Sequence, residues 1–200
     1  RTLEVDGSVL IPRPESEELV AWVLEEKENH AGAFLDLGTG SGCLALALSW
    51  KGGCRPVYGM DVSEEALKTA RKNAIAWGLE SSFVGLQADF MDKAWVPPSA
   101  ALWISNPPYI PSSESSAMED LVTLHEPAMA LFVPDSDPFL FYTALLQGAA
   151  THLSPSGCMV AECHSKFTRQ LADCWQLEAA ETEVLCDLQG AERAVRIKRH

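Results

Sequence analysis

A short apolar strand, three spaced glycines and an apolar helix in immediate succession confine this chain to few folds. Ala33 to Leu37 reads as a buried strand, Gly38, Thr39, Gly40, Ser41 and Gly42 as a tight loop, and Cys43 to Trp50 as an apolar helix. Such a unit opens a doubly wound sheet, because glycines let the backbone turn from strand into helix while staying open to a ligand. The alternation continues with strand Pro56 to Met60, helix Ser63 to Trp77 closed by Gly78, strand Phe83 to Gln87 and the apolar run Ala101 to Ser105. Helix Phe139 to His152, strand Cys158 to Glu162 and helix Lys166 to Glu178 follow. Strands alternating with helices predict an α/β domain with a largely parallel sheet. Two last strands, Thr182 to Leu188 and Glu192 to Lys198, flank Gln189-Gly190-Ala191, a hairpin signal that adds an antiparallel edge. Ahead of all this, Glu15 to Glu26 carries Leu19, Val20, Val23 and Leu24 at helical spacing.

Asn106-Pro107-Pro108-Tyr109 follows the fourth strand directly. Two prolines there forbid further strand pairing, so the chain must leave the sheet at Asn106. Ligands of open α/β sheets bind at this carboxyl edge. The side-chain oxygen of Asn106 and the carbonyl of Pro107 can each accept one hydrogen of a planar NH2 group, and Tyr109 can cover its flat face. Taken alone the motif is equally a strand-ending turn. Residues 106 to 138 form a long segment rich in Pro and Ser, with one helix near Ser116 to His125, and read as a functional lid.

The glycine loop lacks the Gly-Lys-Ser/Thr of an ATP-binding loop. Asp61 lies 19 residues beyond Gly42, at the end of the next strand, where a carboxylate accepts from both hydroxyls of a ribose. Asp89-Phe90 ends the third strand at the same edge, placing a carboxylate for an adenine amino group and a ring for its face. Glycine loop, Asp61, Asp89 and Phe90 describe a nucleoside pocket. With Asn106 beside them, the arrangement resembles that of S-adenosylmethionine-dependent methyltransferases.

Composition narrows the substrate. Asp and Glu outnumber Lys and Arg 28 to 15, a formal charge of -13, whereas a grip on nucleic-acid phosphates needs a basic patch. Positive charge gathers only at Lys198, Arg199 and His200, with Arg193 and Arg196 nearby. Six cysteines (Cys43, Cys54, Cys158, Cys163, Cys174, Cys186) form no C-x-x-C pair, and five histidines (His30, His125, His152, His164, His200) show no ligand spacing, so no metal is expected. The thiols read as reduced. No long apolar run suggests a membrane span or a secretion leader. The tryptophans read as packing residues. The first residue is Arg1, which reads as a trimmed chain or fragment.

Through nearly its whole length the chain resembles the HemK/PrmC family of protein-(glutamine-N5) methyltransferases. The resemblance rests on Val9 to Glu17 (Val-Leu-Ile-Pro-Arg-Pro-Glu-Ser-Glu), Asp36 to Gly42, Asp61, Asp89-Phe90 and Asn106 to Tyr109, with Glu126-Pro127, Ala130-Leu131, Asp187-Leu188 and Arg193 as later landmarks. It implies a Rossmann-like class I methyltransferase, a mostly parallel seven-stranded sheet with a C-terminal antiparallel hairpin. Residues 1–200 would be the catalytic domain, with 1–14 as a leading segment, and nothing corresponds to the N-terminal helical domain of that family. It implies S-adenosylmethionine bound by Gly38 to Gly42, Asp61, Asp89, Phe90 and Asn106. Asn106, Pro107 and Tyr109 would be catalytic, and Asn106, Pro107, Pro108 and Tyr109 would hold the substrate. That substrate would be the glutamine of the Gly-Gly-Gln motif in class 1 peptide-chain release factors, methylated by a monomer in the cytoplasm or an organellar matrix. Phe132 to Ser136 stands where the family carries a glycine-rich acidic stretch, which points to a lid of different shape, and Cys163-His164-Ser165 stands where a glycine usually follows Glu162. Two alternatives stand beside this reading: an adenine-N6 methyltransferase of nucleic acid, since an exocyclic NH2 offers the same two hydrogens, and a catalytically silent cofactor-binding subunit. Glu126, Arg13 and Glu15 read as ordering the chain, and no general base is assigned.

Overall fold

The computed structural model describes residues 1–26, 30, 32–53, 55–117, 126–178 and 180–199. Its elements are α1 (Ser16–Glu25), β1 (Phe34–Leu37), α2 (Cys43–Lys51), β2 (Val57–Asp61), α3 (Glu64–Trp77), β3 (Phe83–Gln87) and β4 (Leu102–Ser105). Then come β5 (Ile110–Pro111), β6 (Phe132–Val133), α4 (Leu140–His152), β7 (Cys158–Glu162), α5 (Thr168–Glu178), β8 (Ala180–Cys186) and β9 (Glu192–Arg199). Seven strands form one sheet in the order β3-β2-β1-β4-β7-β9-β8. The first five are parallel, and β9 pairs antiparallel with both β7 and β8. This is the Rossmann-like architecture expected of the sequence.

β1, β4 and β7 are buried along their whole length, as strands covered on both faces must be. Leu19, Leu44, Leu46, Ala70 and Ile104 form the core beneath α1, α2 and α3. Trp103, Tyr142, Leu145, Leu171 and Trp175 form that beneath α4 and α5. Among the tryptophans, Trp103 and Trp175 are buried whereas Trp50 is exposed and meets Trp77 edge to face.

Two elements lay outside the sequence expectation. β5 and β6 form a separate parallel pair within the segment read as a lid. The helix expected near Ser116 to His125 falls almost wholly outside the described residues; the preceding Ser112–Ala117 is a 3-10 helix. The hairpin is present. Gly190 adopts φ +83°, and Asp187 Oδ1 accepts the backbone N–H groups of Gln189 (3.0 Å) and Ala191 (2.9 Å).

The leading segment climbs α3 as an extended strap. Trp77 Nε1 donates to the Thr2 carbonyl (2.8 Å), Asn73 pairs with Glu4 in both directions (2.7 and 2.9 Å), and Thr69 Oγ1 donates to Asp6 Oδ2 (3.0 Å). Two extended residues advance about 6.6 Å and four helical residues about 6.0 Å, so the two rows of partners stay in step. Asn73, fully buried, also donates to the Ser41 carbonyl (2.9 Å) and so joins the strap to the glycine loop.

The same loop is pinned from below by Asp36 on β1. Its Oδ2 accepts the Thr39 hydroxyl (2.7 Å) and the Ala45 N–H (3.1 Å), while Oδ1 has no partner among the described residues. Burial pushes this carboxyl up from 3.8 to about 7, against the pull of both hydrogen bonds. Between those two pH values the folded chain therefore holds a proton that the unfolded chain releases, and stability falls as pH rises through the window. Asp36→Asn removes that slope. In urea titrations the Asn variant is expected to gain on the parent by roughly 4 kcal/mol between pH 4 and 8; parallel pH curves would show that Asp36 does not titrate there.

Candidate active site

The strand order reverses between β1 and β4, which opens a crevice at their carboxyl ends. A cavity of about 430 Å³ fills it, within the range of roughly 300–1,000 Å³ usual for small-molecule sites. Gly38, Thr39, Gly40 and Ser41 line one side, Asp61, Asp89 and Phe90 another, and Asn106 and Pro108 a third. Chain segments far apart in sequence meet here.

Local geometry explains why this loop has this sequence. Gly38 and Thr39 donate to the Met60 carbonyl (2.9 and 2.8 Å), and Gly40 N–H donates to Asp61 Oδ2 (2.9 Å). Gly40 sits at φ +53°, and a Cβ there would meet no protein atom within 4 Å, so a side chain would take up space in the cavity itself. Gly42, at φ +81°, begins α2; a Cβ there would lie 3.2 Å from that of Ala70 on α3. One glycine keeps the cavity open and the other lets two helices approach.

Asp61 has work in the protein as well as an open flank. Its Oδ1 accepts the Ser63 N–H (2.9 Å), so both oxygens are oriented by backbone donors while retaining lone pairs toward the cavity. Asp89 Oδ1 accepts the Met91 N–H (2.8 Å), and the Phe90 ring is held edge-on by Phe141 at 6.1 Å. These are the residues that the sequence assigned to ribose and adenine. The chemistry fits an adenosine: carboxylates for hydroxyls and an amino group, a ring for a flat face, and glycine backbone for the tail.

Asn106 to Tyr109 straddles two cavities. Asn106 and Pro108 face the first, and the Asn106 amide has no hydrogen-bond partner among the described residues. Pro107 is buried between them. Tyr109 faces away, into a second cavity of about 510 Å³ lined also by Ile110, Glu114, Cys163, His164 and Arg193. The Tyr109 hydroxyl donates to Glu162 Oε1 (3.0 Å). Burial pushes the Glu162 carboxyl up to about 7, opposed by the Tyr109 bond and by Arg193, and burial raises the Tyr109 phenol as well. Arg193 itself is held by Asp187 at 2.9 Å.

Several wall residues carried no site assignment in the sequence. Ser8, Val9, Leu10 and Pro12 line the first cavity, as do Met129, Phe132 and Phe141. The strap is closed over it by an ion pair: Arg13 Nη2 reaches both oxygens of Glu126 (2.9 and 3.0 Å), and Glu126 also accepts the Ile11 N–H (3.3 Å). Glu126 is therefore structural, tying the leading segment across the cavity. The one signal for this was the density of Pro and Arg at residues 11–14, which marks a fixed turn but not its partner.

The basic cluster near the C-terminus is spent internally. Arg196 reaches Glu25 (2.9 Å), Glu26 (3.4 Å) and Glu183, and Lys198 reaches Glu26 (2.8 Å). Arg199 donates to the Leu153 carbonyl. His200 lies outside the described residues, as do Cys54 and His125. The other five cysteines are free. Among the described residues no group of His, Cys, Asp and Glu is placed to hold a metal ion, and no helix is long and apolar enough to cross a membrane.

Comparison with known proteins agrees with this geometry. By fold, the chain is similar to the hMettl16 catalytic domain solved in complex with an RNA hairpin (TM-score 0.79, 12% identity, covering all of this chain and 76% of that one). It is also similar to a ribosomal protein L11 methylase from Lactobacillus delbrueckii (TM-score 0.63, 18% identity, covering 96% and 82%). At these identities the likeness concerns architecture alone. Residues 16–128 match the family described as "Methyltransferase small domain". In sequence, the chain is 33% identical to a release factor glutamine methyltransferase of Flavobacterium psychrophilum, over 96% of this chain and 69% of the relative. It is 34% identical to those of Bacteroides thetaiotaomicron (100% and 71%) and Lactococcus lactis (98% and 72%). With the methyltransferase fold, the glycine-loop cavity and the Asn106 motif all in one chain, this protein belongs to the release factor glutamine methyltransferase family.

Proposed function

We propose that this chain transfers the methyl group of S-adenosylmethionine to the side-chain amide nitrogen of the Gly-Gly-Gln glutamine in a class 1 release factor. The observation that carries the proposal is the Asn106 amide, without a protein partner among the described residues, on the wall of the cavity lined by the glycine loop, Asp61 and Asp89, three residues before Tyr109 enters a second cleft. The names of the relatives supply the substrate class.

S-adenosylmethionine supplies an electrophilic methyl group on a sulfonium. Gly38 to Ser41, the part of the expected loop that lines the cavity, would take its amino-acid end, Asp61 the ribose hydroxyls, and Asp89 and Phe90 the adenine, while Gly42 packs against Ala70 instead. The glutamine amide is a poor nucleophile because its nitrogen lone pair is delocalised into the carbonyl. Asn106 Oδ1 and the Pro107 carbonyl would accept its two hydrogens, aim the nitrogen at the methyl group and stabilise the positive charge that grows on it. Pro107 and Pro108 hold those acceptors in place, since their ring-fixed φ leaves little to reorganise. Tyr109 would flank the glutamine on the side of the second cleft. In this proposal the enzyme is a monomer, and its free cysteines suit the reducing cytoplasm or an organellar matrix.

Adenine in nucleic acid is the weaker reading. The basic side chains Arg193, Arg196 and Lys198, which could have formed a phosphate-binding face, are paired with Asp187, Glu25, Glu26 and Glu183.

Incubation with labelled S-adenosylmethionine and a purified release factor is expected to place one methyl group on the Gly-Gly-Gln glutamine, read by mass spectrometry of the peptide. Asn106→Ala is expected to lower kcat by roughly 10²-fold or more with cofactor affinity within about threefold; equal loss of both would remove Asn106 from the chemistry. Asp61→Ala is expected to weaken cofactor binding about 10- to 100-fold by calorimetry, and an unchanged Kd would place the ribose elsewhere. Arg13→Ala leaves Glu126 with the Ile11 N–H alone, and is expected to loosen the strap and raise the cofactor Kd several-fold without changing kcat at saturation.

A further inference from the structure

The transfer step described above leaves one buried ionisable group without a task. Glu162 closes β7 and is 3% exposed. β4 and β7 run parallel with Ser105 opposite Ala161, so the next residues, Asn106 and Glu162, come off neighbouring strands side by side at the catalytic edge. Glu162 is held from two directions. Its Oε1 accepts the Tyr109 hydroxyl (3.0 Å), and its backbone carbonyl accepts the Tyr142 hydroxyl (3.1 Å). Oε2 has no partner among the described residues.

As a contribution to stability this arrangement is poor. A buried carboxyl with one oxygen unpaired bears a desolvation cost that an apolar side chain of similar volume would not. As a clamp it is effective. The Tyr109 ring packs on the core beneath α4 and α5 and meets His164 edge to face at 6.3 Å, contacts that resist displacement but do not fix the hydroxyl. Only the bond to Glu162 does that among the described residues. Tyr109 ends the segment that Asn106 begins, and the two residues between are prolines whose φ cannot adjust. An orientation imposed at Tyr109 therefore reaches Asn106 with little slack.

We propose that Glu162 is a positioning residue for methyl transfer: by holding the Tyr109 hydroxyl it fixes the far end of the Asn106–Tyr109 segment and, through Pro107 and Pro108, the direction of the Asn106 amide. It deepens the glutamine-methyltransferase reading of this site and rests on it. Glu162 touches neither substrate nor cofactor in this role.

The test compares the parent with Glu162→Ala, Glu162→Gln, Tyr109→Phe and the Glu162→Ala/Tyr109→Phe double variant. Glu162→Ala is expected to lower kcat about 10- to 100-fold, the effect of one hydrogen bond to a charged group, with KM for the release factor and Kd for S-adenosylmethionine within about twofold. Glu162→Gln is expected to recover most of the rate, because an amide oxygen also accepts the phenol. Tyr109→Phe should match Glu162→Ala, and the double variant should be no slower than either. Parental kcat in Glu162→Ala, multiplying losses in the double variant, or no rescue by Gln would each overturn the proposal. If the parent itself transfers no methyl group to a release factor, the function reading fails, and the clamp is then read without turnover. The chain has 3 tyrosines, so ring-labelled Tyr109 can be assigned by NMR. Its signals should shift and broaden in Glu162→Ala and return in Glu162→Gln; an unchanged Tyr109 spectrum in Glu162→Ala overturns the clamp.

Discussion

Everything at the active edge depends on the reversal of strand order between β1 and β4. Strands wound one way from β1 place β2 and β3 on one flank, and strands wound the other way from β4 place β7 and the hairpin on the other. Connections leaving β1 and β4 must therefore diverge, and the gap between them cannot be filled by either. What a chain puts at those two strand ends decides what the gap can hold. Here one end carries glycines and the other an asparagine locked by two prolines.

The pinned loop shows how far the protein goes to keep that gap in shape. Asp36 holds it from β1, the Met60 carbonyl and Asp61 hold it from β2, and Asn73 holds it from α3. Backbone with positive φ has few side-chain contacts of its own to settle its position, so the polar groups around it fix the position instead. The result is a preorganised loop, which need not rearrange when a ligand arrives.

Strands, helices and the glycine loop were legible because each is a local pattern. Phe83–Gln87 and Cys158–Glu162 fall within the expected bounds, since apolar runs flanked by turn residues have few other readings. The lining of the crevice was partly legible, because glycine, Asp61 and Asp89 sit at strand ends at spacings that the fold dictates. Its outer wall was not. Arg13 with Glu126, Thr2 with Trp77 and Tyr109 with Glu162 are pairs between distant segments, and nothing in either partner's neighbourhood names the other. Asn73 gave a faint sign as a polar residue on the inner face of an amphipathic helix. The C-terminal cations show the reverse: close in sequence, they look like a patch, yet strand alternation turns Arg196 and Lys198 toward Glu25 and Glu26 at the end of α1.

The strap also sets an order of assembly. Ile11 and Glu126 are 115 residues apart, and Glu4 and Asn73 are 69 apart, while Gly40 and Asp61 are separated by only 21. During synthesis, which runs from the amino end, the glycine loop and its anchors on β2 emerge early, but the wall over them waits until Glu126 has left the ribosome. A ligand held between loop and wall thus stabilises the assembled domain, and not the loop and its β2 anchors by themselves.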